Sequence, residues 1–167
     1  MTLPDFYVAQ LDAEAPRTRR VLERVPNGRA DWKPHDKSMP LGRLAMLVAR
    51  MPTWFDLIVG RDDLDLSAGG NVNQQPLTTA AELVQAHDEG VASARKTLQG
   101  TNDAHLAKPW KLLVGGNTVS AQPRTIVIRD TFMHLSHHRA QLTVYLRLLD
   151  LPVPAIYGPS ADDQRFA

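Results

Sequence analysis

The stretch Thr131-Phe-Met-His134-Leu-Ser-His137-His138-Arg139-Ala-Gln141-Leu142 lies inside a longer segment with apolar residues at Ile126, Val127, Phe132, Leu135, Leu142, Tyr145, Leu146 and Leu149. That spacing is helical, and with Ser120 three residues ahead of Pro123 it predicts a helix over about 121–149. Three of the chain's six histidines fall within five positions of this helix. At about 100° per residue, His134 and His138 stand about 40° apart one turn along, and Gln141 and Tyr145 continue the same face. Two imidazoles at i, i+4 are the arrangement with which metalloprotease helices grip zinc, although no Glu follows the first His here. His137 is three residues from His134 and fits the same geometry as His138. The plainer alternative is a helix–helix contact in which the histidines are hydrogen-bonded and the charge of Arg139 is in solvent.

Working outward, Thr2 and Pro4 open a helix over about 3–25 that continues through Pro16. Residues 32–40, with two prolines, read as a loop. Leu41, Leu44, Ala45, Leu47, Val48 and Met51 give a second helix, about 40–59, bent at Pro52. Residues 61–78 are rich in Gly, Asn and Asp and read as a long exposed connection. Thr79 and Glu82 form a capping box for a helix over about 80–99, which Gly100 ends. Trp110 to Val119, around Gly115-Gly116-Asn117, fits either a short hairpin or an ordered loop. The proline-rich tail from Leu151 to Ser160 packs across the helices. Four long helices with one long connection predict an all-α fold, a single four-helix bundle with a crossover over residues 1–167.

Composition narrows the function. The chain has 167 residues, 19 Lys+Arg against 18 Asp+Glu, and no cysteine. A formal charge of +1 argues against nucleic acid or an anionic membrane as partner. Without cysteine there is no thiolate zinc site and no thiol nucleophile of the protein's own. The N-terminus lacks a basic and apolar leader, so the expectation is a cytoplasmic protein acting on a small molecule. Gly69-Gly70 and Gly115-Gly116 lack the strand–turn–helix context of phosphate loops. Trp32, Trp54 and Trp110 read as core or pocket-wall anchors.

The string from His134 through Gln141-Leu-Thr-Val-Tyr145 to Pro154-Ala-Ile-Tyr157-Gly-Pro-Ser160 resembles the C-terminal helix and tail of the DinB/YfiT-like family. Trp32-Lys-Pro-His-Asp-Lys-Ser38, the helix from Leu41 with Trp54 downstream, and Trp110-Lys-Leu extend the resemblance over about residues 30–160. It implies a four-helix bundle, commonly a homodimer, with a divalent metal such as zinc or nickel held by three histidines. One comes from helix 2 and two from the His-x-x-x-His of helix 4, which fall here on His134 and His138. The helix 2 position falls on Leu47, which has no lone pair, so the site is incomplete unless His35 or His87 substitutes. The family register implies that the pair faces the bundle interior near one end, with Leu47 across from it.

Two functions follow. One is a metal-dependent enzyme, a thiol-dependent transferase or a hydrolase-like relative, with Leu47, Trp54, Gln141 and Tyr145 around the substrate. The other is a bundle that has lost its metal site and binds a small apolar ligand or a protein partner.

Overall fold

A computed structural model describes residues 1–68 and 76–165; residues 69–75 of the long connection, including Gly69-Gly70, lie outside the described residues. The elements run α1 (Leu3–Leu22), α2 (Leu41–Arg50), a 3-10 turn (Met51–Thr53), α3 (Trp54–Gly60), β1 (Asp63–Asp65), a second 3-10 turn (Leu66–Ala68), α4 (Ala80–Gln99), α5 (Asp103–Leu106), β2 (Pro109–Val114), β3 (Asn117–Pro123) and α6 (Arg124–Leu148).

Local chemistry accounts for most boundaries. Thr2 and Asp5 close a reciprocal cap on α1, and Thr79 and Glu82 do the same on α4. Pro52 lacks the N–H that would continue α2, so the chain makes a 3-10 turn, with the Thr53 hydroxyl donating to the Arg50 carbonyl, and restarts as α3. Gly90 lets α4 approach that turn closely, since a Cβ there would meet the Thr53 methyl at 3.2 Å.

Two hydrophobic clusters fill the interior. One joins Val21 and Leu22 of α1 to Leu44, Ala45 and Val48 of α2, Leu83 of α4, and Leu135, Leu142 and Leu146 of α6. The other joins Tyr7 and Leu11 of α1 to Phe55 and Ile58 of α3, Val91 and Leu98 of α4, Ile128 of α6, and Trp110 of β2. Trp54 packs against both.

The all-α expectation is corrected by a three-stranded sheet, ordered β1-β2-β3. β2 and β3 form an antiparallel hairpin with Trp110 opposite Gln122, and β1 pairs in parallel with β2, Leu64 opposite Leu112. Part of the segment expected to be an exposed connection is therefore a strand. Residues 121–123, expected in the last helix, belong to β3, and α6 starts at Arg124. The hairpin turn uses Gly115 and Gly116 at φ 57 and 77, a region that disfavours side chains. The Asp65 carboxylate accepts the N–H of both glycines, at 3.1 and 2.7 Å, and that of Ser67 at 2.8 Å, which ties β1 to the turn.

Two arginines of α6 are buried. Arg124 is 1% exposed; it donates to the carbonyls of Ile58, Arg61 and Pro109 and to Asp62, locking α3, β2 and α6 together. Arg139, expected in solvent, is 2% exposed and pairs with Glu14 of α1 at 2.6 Å. The Tyr157 hydroxyl touches both partners, so the same cluster pins the C-terminal tail.

Candidate functional site

The middle of α6 presents its histidines at the molecular surface. His134 and His137 are exposed and His138 is half-buried, whereas the intervening Leu135 and Arg139 point into the core. The expectation that the pair faces the bundle interior is thus corrected: the buried side of this turn is taken by Leu135 and by the Arg139–Glu14 pair.

The imidazoles are close together. His134 Nε2 and His138 Nε2 are 2.7 Å apart, and the rings stack at a tilt with centroids separated by 4.6 Å. His138 Nδ1 lies 2.7 Å from Gln141 Oε1, and the Gln141 amide nitrogen lies 3.0 Å from His137 Nε2. An amide oxygen only accepts, so His138 Nδ1 must carry a proton. In neutral His138 the Nε2 is then a bare acceptor, His134 Nε2 is its donor, and Gln141 donates to His137. The neutral network therefore has one proton order, His134 to His138 to Gln141 to His137. Partial burial holds the His134 pKa below its ordinary value of 6.5, helped by the neighbouring charges of His138 and His137 when protonated.

Trp54, at the start of α3, meets the edge of His134 at 5.4 Å between centroids and nearly at right angles. Behind it is a cavity of about 330 Å³, walled by Trp54 and Leu57 of α3, Leu64 of β1, Trp110 and Leu112 of β2, and Val127 of α6. Its polar groups, Asp130, Thr131 and His134, lie within one turn of α6. The Thr131 hydroxyl is spent on the Val127 carbonyl and Asp130 Oδ1 on Arg129. His134 thus belongs both to the imidazole pair and to the cavity wall.

Of the residues expected at the site, His134, His138, Gln141 and Trp54 form one contiguous group. Leu47 is half-buried and lines a neighbouring groove that it shares with Trp54. Tyr145 is buried, stacks edge-on with Trp32 and donates its hydroxyl to the Met39 carbonyl. His87 is buried with Nε2 on the Ala15 carbonyl, and His35 Nδ1 accepts the Lys37 N–H in its own loop. Trp110, read as a core or pocket-wall anchor, lines the cavity, whereas Leu64, Leu112 and Asp130 were not expected there. Only Asp130 carried a signal, four residues before His134 on the same face; the others depend on the sheet.

The donor set can be tested against a metal. Tetrahedral zinc with bonds of about 2.0–2.1 Å places two ligand atoms about 3.3 Å apart, so the Nε2 atoms would separate by about 0.6 Å. Gln141 already holds His138 in the tautomer that leaves Nε2 bare, as supporting residues around metal ligands do. Among the described residues, however, no three His, Cys, Asp or Glu side chains are gathered as a metal-binding group. Two imidazoles with an aliphatic Leu47 at the third position do not fit a three-histidine centre.

Residues 5–165 match the DinB family, and the chain belongs to that family. It is 22% identical over 160 residues to the uncharacterized protein YrdA of Bacillus subtilis strain 168, covering 95% of this chain and 90% of that protein. A DinB-like protein of Bacillus cereus ATCC 10987 superposes with a TM-score of 0.67 at 19% identity, over 90% of this chain and 95% of the other. A second, the DinB-like YjoA protein of Bacillus subtilis, also gives a TM-score of 0.67, at 16% identity, over 95% and 99% of the two chains. At these identities the likeness shows the fold.

Proposed function

We propose that this DinB-family chain binds a small, predominantly apolar molecule in the Trp54–Trp110 cavity, with His134 as the polar group at its edge. The supporting observation is the double membership of His134, one ring serving both the cavity wall and the hydrogen-bonded histidine chain. A volume of about 330 Å³ is within the range of ligand pockets and exceeds the roughly 150 Å³ void that takes benzene in an engineered protein core. A neutral imidazole here can take a proton from a bound molecule and pass charge along to His138, whose own proton is steadied by Gln141.

A second reading, a zinc- or nickel-dependent transferase or hydrolase-like enzyme using a small-molecule thiol, is favoured by the facing Nε2 atoms alone. In it the pair supplies two of the cation's bonds, and solvent or substrate the rest. A second copy of the chain is the proposed partner for the exposed stripe of Met133, Val144 and Leu148 on α6.

The three tryptophans make a direct test of the cavity. In nitrogen-15 spectra the indole N–H signals of Trp54 and Trp110 should move on titration with toluene. Trp32, packed on Tyr145, should stay still. Absence of any shift, or equal shifts at all three, would refute the cavity as the binding site.

A further inference from the structure

Asp130, Thr131 and His134 are the polar side chains that α6 brings to the cavity, and the position of each proton decides what they offer a guest. The Thr131 hydroxyl gives its proton to the Val127 carbonyl at 2.9 Å, which leaves only oxygen lone pairs. A carboxylate has no proton to give; the Arg129 guanidinium occupies Asp130 Oδ1, and Oδ2 is left. His134 is fixed from the far end of the histidine chain. Gln141 Oε1 keeps the proton of neutral His138 on Nδ1, the bare His138 Nε2 takes the proton of His134 Nε2, and His134 Nδ1 is left as a lone pair. Among the described residues that Nδ1 has no partner, and Nε2 is directed along the helix to His138, which does not line the cavity. On its described α6 side the cavity therefore presents side-chain acceptors alone. The donors of the wall are the indole N–H groups of Trp54 and Trp110, that of Trp110 buried without a partner.

We infer that the cavity selects a small apolar molecule bearing a neutral hydroxyl group, a phenol or an alcohol, which donates its proton to His134 Nδ1. The inference rests on the cavity being the ligand site. An ether or a halide brings no proton, so the α6 side gives it nothing. A carboxylate meets the Asp130 charge and a row of lone pairs. An ammonium group brings protons, but shedding its water among Trp54, Leu57, Trp110 and Val127 costs several times what one hydrogen bond returns. A hydroxyl donates to the imidazole, and its oxygen can still receive an indole N–H, so it matches both kinds of group in the wall.

Four probes built on one tolyl ring separate the hydroxyl from the hydrocarbon: para-cresol, para-fluorotoluene, para-methylanisole and para-methylbenzylamine, titrated calorimetrically into the full chain at pH 7.5. The cresol should bind about fivefold tighter than the near-isosteric fluorotoluene, the return on one net hydrogen bond. The anisole and the amine should bind no tighter than the fluorotoluene. His134→Phe, which keeps an aromatic ring beside Trp54, should bring the cresol down to the fluorotoluene level. On the unaltered chain, nitrogen-15 histidine spectra should show His134 protonated at Nε2 and bare at Nδ1, and the cresol should move the Nδ1 signal. A His134 bare at Nε2, equal affinity for the four probes, preference for the anisole or the amine, or a cresol preference that survives His134→Phe would overturn the inference and leave the apolar cavity standing. Failure of all four probes to bind would overturn the cavity reading and this inference with it.

Discussion

Glu14→Gln removes one charge and almost no volume from the cluster that sets the rotation of α6. Arg139 is 2% exposed; its guanidinium donates to Glu14 Oε2 and the Tyr157 hydroxyl, each at 2.6 Å, and to the Thr18 hydroxyl at 3.0 Å. With glutamine at 14 that guanidinium stays buried without its counter-charge. Breaking a buried pair from one side costs about 3–5 kcal/mol, and since the amide oxygen still accepts one hydrogen bond, the lower end, about 3 kcal/mol, applies. For a chain of this length each kcal/mol lowers Tm by about 2–4 °C, giving a fall of about 6–12 °C at pH 7 in scanning calorimetry. Replacing both partners by apolar residues, Glu14→Leu with Arg139→Met, should recover most of the loss, because no uncompensated charge remains. Burial pushes the Glu14 carboxyl upward, but the Arg139 charge and the hydrogen bonds from Arg139, Tyr157 and Arg17 outweigh it, so its folded pKa is below the ordinary 4.5. The stabilisation is therefore complete above pH 4.5 and is lost as pH falls through the lower folded value. The deficit of Glu14→Gln should shrink over that window. A fall under about 2 °C, or a double variant no more stable than the single one, would refute the role given to this pair.

Zinc or nickel titrated calorimetrically should bind the wild type weakly and not at all after His134→Ala. Leu47→His should tighten binding by about two orders of magnitude, since each ligand of a tetrahedral site contributes roughly 3 kcal/mol; tight wild-type binding that the substitution leaves unchanged would revive the metalloenzyme. In a proton NMR titration His134 should stay neutral to a pH below the 6.5 of an unperturbed imidazole. A folded value depressed in this way costs stability as pH falls below the unfolded value, so His134→Gln should lose less stability than wild type between pH 7 and 5. Light scattering should give a mass near twice 18.5 kDa at micromolar concentration, reverting towards the monomer when Val144 and Leu148 are both changed to Lys.

The helices were legible because their signals are local. Thr79 with Glu82, Pro52 inside an apolar stripe, and the 3.6-residue recurrence from Ile126 to Leu149 each act within a few residues of the structure they cause. β1 was not legible: three residues cannot display a period of two, and the partner that makes Asp63–Asp65 a strand is β2, far along the chain. With β1 unseen, Leu64 and Leu112 could not be placed in a cavity, although Trp110 read as a core or pocket-wall anchor. The i, i+4 spacing gave the His134–His138 contact but not which way the pair faces. That depends on Arg139, whose charge reads as a surface feature until Glu14, 125 residues away, is known to meet it.

The seam between β1 and β2 also decides how the outer wall of the cavity is held. The two strands are separated by the 43 residues from Leu66 to Lys108 and meet over three residue pairs, Asp63 with Lys111, Leu64 with Leu112 and Asp65 with Leu113. That short seam is held at its turn by Asp65 and is thinly covered, with Asp63 exposed and Leu64 and Asp65 half-buried, and thinly covered units open at low cost. If the cavity takes a guest as proposed, a hinge of this sheet would let it enter and leave while the helical core stays shut.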